Sequence, residues 1–126
     1  IQKVKGIDLF SHDDRILVMD MHELTFEDTS FDIVYASHVL EHAIDYKKAL
    51  AEMLRVLKPN GYIAIEIPIN FEPRGSDLHN FESAKNVVSI IKDCTKDTID
   101  TILEEDYPVN DTSAGNDFAR IIIKKL

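Results

Sequence analysis

The chain has 126 residues, 44% of them hydrophobic and 8% aromatic, which supports one apolar core and excludes a disordered chain. Fourteen Lys and Arg against 23 Asp and Glu leave a net charge of −9, a balance that repels polyphosphate. Lys47–Lys48 and Lys124–Lys125 are only short pairs, so no basic patch offsets it and nucleic acid is not an expected partner. No apolar run approaches membrane-spanning length and no signal peptide is expected. The one cysteine, Cys94, has no internal disulfide partner. A soluble cytoplasmic protein with no membrane contact follows as the expectation. Because the chain begins at Ile1 and enters a strand-like pattern almost at once, a fragment or processed product is expected.

Val4 to Phe10, "VKGIDLF", is the first predicted strand, with an acid near its end at Asp8. Arg15 to Asp20, "RILVMD", is the second and Phe31 to Ser37, "FDIVYAS", the third. Their Val/Ile-rich character with little alternation predicts strands covered on both faces. Asp45 to Leu57 predicts a helix, with Asp45 as N-cap and an apolar stripe of Tyr46, Ala49, Leu50, Met53, Leu54 and Leu57. "KPNG" stops it, since Pro59 disfavours helix at Lys58 and Asn60–Gly61 tolerate positive φ. Tyr62 to Pro68 is a fourth strand, followed by a turn-rich loop from Ile69 to Asn80. Glu82 to Cys94 predicts a second helix, with Ala84, Val87, Val88 and Ile91 on one side. "DTIDTILEEDY" reads as either a strand or a helix extension, "PVNDTSAGND" as a hairpin loop, and "DFARIIIKKL" as a closing strand. No repeat or internal boundary divides the chain, so a single domain over 1–126 is expected.

Strands alternating with helices predict an α/β sandwich with a mainly parallel sheet and a C-terminal antiparallel hairpin. Ligands of such sheets bind outside the carboxyl ends of the strands, where Asp8, Asp20, the Ser37–His42 segment and the Pro68–Asn80 loop all fall.

"VKGIDL", "MDMHELTFEDTSFDIVYASHVLEH" and "LAEMLRVLKPNGYIAIEIP" together resemble the class I S-adenosylmethionine-dependent methyltransferases, the small-molecule type 11 group in particular. That family has an acid ending strand two, a "D-x-x-x-L-P-F-x-D-x-S-F-D" segment, a "V-L-E-H" and an "R-V-L-K-P-G-G". Thr25 and Asn60 depart from it mildly, and "DLHNFES" resembles its later "H-x-F-S". The resemblance implies a Rossmann-like methyltransferase sandwich that uses S-adenosyl-L-methionine and acts on a small-molecule acceptor. It implies that Asp8 accepts from the ribose hydroxyls and that Leu9 lies against adenine. Asp20 accepts from the adenine amino group, the Met21 N–H serves a ring nitrogen, and Ala36, Ser37 and His38 run along the methionine part.

The family's first strand and its "G-x-G-x-G" have no counterpart, because Gly6, Gly61, Gly75 and Gly115 are not so spaced. In the family that strand lies between strands two and four, so a gap is expected. Either a non-standard strand order or a homodimer through exposed strand edges would close it.

Other polar groups have simpler readings. Asp32 shapes a turn, and Glu23, Glu27 and Asp28 form a solvated loop. Ser37 has no His–acid relay to make it a nucleophile. His38, Glu41 and His42 lack a third ligand at metal-site spacing, so no metal is expected. His42 is expected to bond a neighbouring loop. His38 is the candidate for touching cofactor or substrate, and His79 is a candidate general base. Cys94 is expected to be an inert, partly buried thiol, and Glu66 has no evident role. The alternatives to a methyltransferase are a non-catalytic methyltransferase-like module acting through protein contacts, or an α/β domain that binds another nucleoside.

Overall fold

The computed structural model describes residues 4–9, 11–96, 98–108 and 117–126. In chain order these form β1 (Gly6–Asp8), β2 (Ile16–Val18), β3 (Phe31–Ser37), a 3-10 turn (Leu40–His42), α1 (Tyr46–Val56), β4 (Leu57–Pro68), α2 (Ala84–Thr95), β5 (Ile99–Tyr107) and β6 (Phe118–Lys125). The ambiguous "DTIDTILEEDY" is therefore a strand, and the hairpin loop expected after it lies largely outside the described residues.

The strands divide between two sheets, one of β1 and β2 in parallel and one of four strands in the order β3-β4-β6-β5. β3 and β4 are parallel, whereas β6 runs antiparallel to both β4 and β5. The architecture is the expected α/β sandwich closed by an antiparallel hairpin, with parallel and antiparallel pairings in one sheet. No described strand pairs with both β1 and β3, so each keeps an unpaired edge. The gap expected from the sequence is present, and no rearranged strand order closes it.

Local sequence explains both helices. Asp45 accepts from the Lys48 backbone N–H at 3.1 Å and Ser83 from that of Asn86 at 3.1 Å, each satisfying a first-turn donor. At the far end of α1, Lys125 Nζ donates to the carbonyls of Leu54 and Leu57, both at 2.8 Å, and the Leu54 carbonyl also accepts from the Leu57 N–H. The α1 stripe buries Ala49, Leu50, Met53 and Leu54, and the α2 stripe buries Ala84, Val87, Val88 and Ile91. Both pack against the face of β4 and β6 that carries Ile63, Ile65, Ile67, Ala119, Ile121 and Ile123. Each such buried isoleucine contributes about 2 kcal/mol of apolar transfer.

The opposite face differs from expectation. Ile33 and Tyr35 on β3 are 59% and 67% exposed, and Tyr62 on β4 is exposed beside them. Among the described residues the helices cover one face only. A Val/Ile-rich strand shows that both faces tolerate burial, but what covers each is decided by the elements packed there.

β4 enters its ladder through a distortion. Phe31 pairs with Leu57, and the next pair is Ile33 with Tyr62, so Lys58 to Gly61 bulge out opposite one residue. Asn60 takes a φ of 68°, as its position in "KPNG" predicts. Regular pairing from Tyr62 to Pro68 matches the strand expected there.

Candidate functional site

Asp8 ends β1 and Asp20 lies just beyond β2. These strands are parallel, with Asp8 opposite Val18, and the Met19 N–H continues the ladder by donating to the Asp8 carbonyl at 2.8 Å. The two carboxylates therefore share one rim, on adjacent strand tips, and both are exposed. The Leu9 N–H donates to Asp8 Oδ1 at 2.7 Å, and the Leu9 side chain projects into solvent. Met21 is half-buried against the main core.

Asp20 is oriented by a relay that sequence spacing does not show. Its Oδ1 accepts from the His22 backbone N–H at 2.8 Å and lies 2.7 Å from His22 Nδ1. His22 Nε2 in turn accepts from the Asp45 N–H at 3.1 Å, so Nδ1 carries the proton and donates to Asp20. The backbone bond from His22, then the ring bond, holds the Asp20 carboxyl below the usual carboxylate range. Both bonds fall on Oδ1, leaving Oδ2 toward solvent.

The loop from Asp20 to Ser30 is held by Arg55 on α1. Arg55 Nε donates to Glu52 Oε1 (2.8 Å), and its terminal nitrogens donate to Glu52 Oε2 (3.0 Å), the Leu24 carbonyl (2.8 Å), the Phe26 carbonyl (2.9 Å) and Asp28 Oδ1 (2.7 Å). Glu52 Oε2 also accepts from the Leu24 N–H at 2.7 Å. Asp28 is thus an exposed loop residue with a fixed partner, whereas Glu23 and Glu27 are solvated as expected. Asp32 is exposed on β3, 3.5 Å from Lys58 Nζ.

At the tip of β3, Ala36 is buried, Ser37 is half-buried and His38 turns the chain with a φ of 53°. The His38 N–H donates to the Glu66 carbonyl at 2.8 Å, and His38 Nε2 lies 3.1 Å from Glu66 Oε1. An ionised carboxylate only accepts, so His38 carries its proton on Nε2 and leaves Nδ1 as a basic nitrogen. Arg120 Nε donates to Glu66 Oε2 at 2.9 Å, and its guanidinium lies 5.1 Å and 5.2 Å from the ring centres of Tyr107 and Phe118. The bond from Arg120, followed by that from His38, lowers the Glu66 pKa and keeps it charged. Glu66 thereby acquires a role that no local pattern indicated, since its partners are 28 and 54 residues away.

His79 is placed differently. Its Nε2 donates to the Ala43 carbonyl at 2.7 Å, and its ring meets Tyr46 edge-on at 4.9 Å. Among the described residues no hydrogen bond or ring contact joins His79 to His38, Asp8 or Asp20. His42 bonds the neighbouring loop as expected, Nδ1 lying 2.7 Å from the Ser76 carbonyl. The fold brings Asp77 to the same place, 3.3 Å from His42 Nδ1. Beside it, a recess of about 240 Å³ is lined by Phe71, Glu72, Arg74 and Asp77. Glu41 is 2% exposed, and burial pushes its carboxyl above the usual range. Cys94 is exposed instead of partly buried; it lies in the last turn of α2, at the edge of the Ala84–Val87–Val88–Ile91 stripe.

No helix among the described residues is long and apolar enough to cross a membrane. Comparison with known proteins follows the same residues. The family described as "Methyltransferase domain" matches residues 3–65, or 63 of the 126. A demethylmenaquinone methyltransferase of Clavibacter sepedonicus is 38% identical over 85 residues, covering 63% of this chain and 35% of its own. The chain thus spans about a third of that relative's length. Among solved structures, an S-adenosylmethionine-dependent methyltransferase from Methanosarcina mazei aligns with a TM-score of 0.73 at 18% identity, over 97% of this chain and 81% of its own. The Burkholderia thailandensis 1,6-didemethyltoxoflavin-N1-methyltransferase, with bound 1,6-didemethyltoxoflavin and S-adenosylhomocysteine, aligns with a TM-score of 0.72 at 15% identity, over 96% and 60%. The matched span runs from the strand carrying Asp8, through the Asp20 loop and the His38 tip, to the middle of β4. The chain belongs to the methyltransferase domain family and has the fold of the class I S-adenosylmethionine-dependent methyltransferases.

Proposed function

We propose that this chain supplies the nucleoside-binding and acceptor-facing rim of an S-adenosylmethionine-dependent methyltransferase whose acceptor is a small molecule. The observation that carries this reading is the pair of exposed carboxylates, Asp8 and Asp20, on neighbouring parallel strand tips. Carboxylates offer acceptors only, which suits a ribose cis-diol and an exocyclic amine and disfavours a phosphate-bearing dinucleotide. In this reading Asp8 takes the ribose hydroxyls through the oxygen not engaged by Leu9. The Leu9 side chain covers adenine, Asp20 Oδ2 accepts from its amino group, and the Met21 N–H donates to the ring. The backbone of Ala36, Ser37 and His38 lines the methionine part, within a chain whose net charge of −9 favours a cationic sulfonium. The quinone-pathway and toxoflavin enzymes named above act on small molecules, which supports that acceptor class.

When bound, S-adenosylmethionine supplies a methyl group on a sulfonium sulfur, open to in-line displacement. The protein's part is chiefly to hold donor and acceptor in line. In this reading, where the acceptor must lose a proton, His38 Nδ1 takes it, with Glu66 fixing the ring through Nε2 and Arg120 fixing Glu66. Glu66 is a positioning residue in this scheme. Glu66→Gln should lower kcat about tenfold with little change in KM. It should also populate the other His38 tautomer, which ¹⁵N chemical shifts of the imidazole report. An unchanged tautomer together with unchanged kcat would remove Glu66 from the mechanism.

The main test is calorimetric titration with S-adenosylhomocysteine. Saturable binding is expected, weakened about 10- to 100-fold by Asp8→Ala and by Asp20→Ala. Equal affinity in both variants would refute the assignment of the two acids. No saturable heat, in the chain or in a longer gene product carrying it, would favour the non-catalytic module.

A further inference from the structure

The Glu41 side chain is almost fully buried, and its Oε2 has no hydrogen-bond partner among the described residues. A desolvated carboxylate oxygen with nothing to accept from is costly and needs a positive charge or a proton beside it. Its neighbour makes the need specific. His42 Nδ1 donates to the Ser76 carbonyl, with Asp77 Oδ1 at 3.3 Å as a second acceptor on that side. In the neutral ring this fixes the proton on Nδ1 and leaves the Nε2 lone pair pointing out. Nε2 lies 3.5 Å from Glu41 Oε1, so two electron-pair donors face each other across a gap too long for a hydrogen bond. One donor atom from each of Glu41, His42 and Asp77 lies within 4.8 Å of the others. Ligands bound to a common ion at about 2.1 Å stand roughly 3–4 Å apart. Completing the set requires the Asp77 carboxylate to swing from the Nδ1 side of the ring to the Nε2 side and the donor atoms to close by up to about 1–2 Å, within reach of rotamer changes in the partly exposed His42 and Asp77 side chains.

We propose that Glu41, His42 and Asp77 form a binding site for a divalent transition cation, of which Zn²⁺ is the best-matched. One imidazole with two carboxylates suits Zn²⁺ better than the all-oxygen shells of Ca²⁺ or Mg²⁺, and three protein ligands leave a fourth position for water. The Ser76 carbonyl is the outer partner that holds the imidazole in its metal-binding tautomer. Access is open, because the side chains of His42 and Asp77 are partly exposed while that of Glu41 forms the floor. The ion would pin the loop after β4 onto the 3-10 turn after β3. The Leu78 and His79 N–H groups already donate to the Glu41 carbonyl there, at 2.7 Å and 3.3 Å. Nothing in this assignment depends on cofactor binding.

The experiment is titration of the chain with Zn²⁺, and with Co²⁺ as a visible-absorption probe, in chelator-free buffer. A Cys94→Ser background removes the exposed thiol as a competing ligand. The expected result is one saturable equivalent, with Co²⁺ bands of a low-coordinate N/O site and a raised melting temperature in Zn²⁺. Affinity should fall about tenfold or more in Asp77→Asn and further in His42→Ala. Asp77 is partly exposed, so its variant keeps the test valid if changes at buried Glu41 prevent folding. Absence of saturable binding would overturn the proposal, leaving Glu41 held by a proton. Binding that is equally strong in Asp77→Asn and His42→Ala would overturn it too, by placing the ion on histidines elsewhere.

Discussion

Gly61→Ala should cost about 3 kcal/mol, the upper end for overpacking, because the methyl group has no room. A Cβ at that position would lie 2.7 Å from the Asp32 carbonyl oxygen, 2.7 Å from Leu57 Cδ1 and 2.9 Å from the Lys58 carbonyl oxygen. Two of these are backbone atoms of the distorted β3–β4 junction, which cannot swing aside as a flexible side chain would. Relief requires β3 to separate from the start of β4, and β3 carries the Ser37–His38 tip. Urea unfolding should show a lower midpoint with an unchanged slope. Asn60→Gly, one position earlier, should change stability by less than about 1 kcal/mol, since Asn60 already holds a positive φ that glycine adopts without strain. Equal stability of wild type and Gly61→Ala would show that the junction is looser than these distances require.

Arg55→Lys should be nearly as damaging, although it keeps the charge. All five guanidinium N–H groups are engaged, with two carboxylates and two backbone carbonyls as acceptors. A lysine ammonium has three donors at one point and cannot span that set. The expected loss is roughly 5–10 °C in melting temperature. Backbone amides from Leu24 to Ser30 should lose hydrogen-exchange protection. Because the same loop carries Asp20 and Met21, S-adenosylhomocysteine affinity should fall with it. The pH dependence follows from Glu52, whose carboxyl is held below its ordinary value of 4.5, first by the Arg55 bond. A folded-state pKa below the unfolded one gives stability that is fully present above the ordinary value and fades as pH falls through the lower one. The deficit of Arg55→Lys against wild type should therefore be largest near neutrality and shrink in acid. A deficit independent of pH would remove the Glu52 pair from the account.

Much of this architecture was legible in the residues. Asp45 and Ser83 sit where a cap is required, and the apolar spacings after them are helical, so both helices and their buried faces could be read locally. The β3 strand runs over the residues expected, Phe31 to Ser37. The placement of Asp8 and Asp20 at adjacent strand tips follows from two short apolar runs, each closed by an acid. Where local signals were balanced, as in "DTIDTILEEDY", pairing with β6 decided for strand. Cys94 continues the spacing of Val87 and Ile91 and yet is exposed, because it lies in the last turn of α2, and periodicity does not show where the packing against a helix face stops.

What the chain determined by itself, then, was the set of elements, their buried stripes and the rim on which the acids fall. These depend on periodicity and capping over a few residues, and so need no knowledge of distant partners. The tertiary structure alone decided that Glu66 orients His38, that Arg55 ties down the Asp20 loop and that Asp77 meets His42. Those groups stand 27 or more residues apart, and only the tertiary packing around β4 brings them within bonding distance.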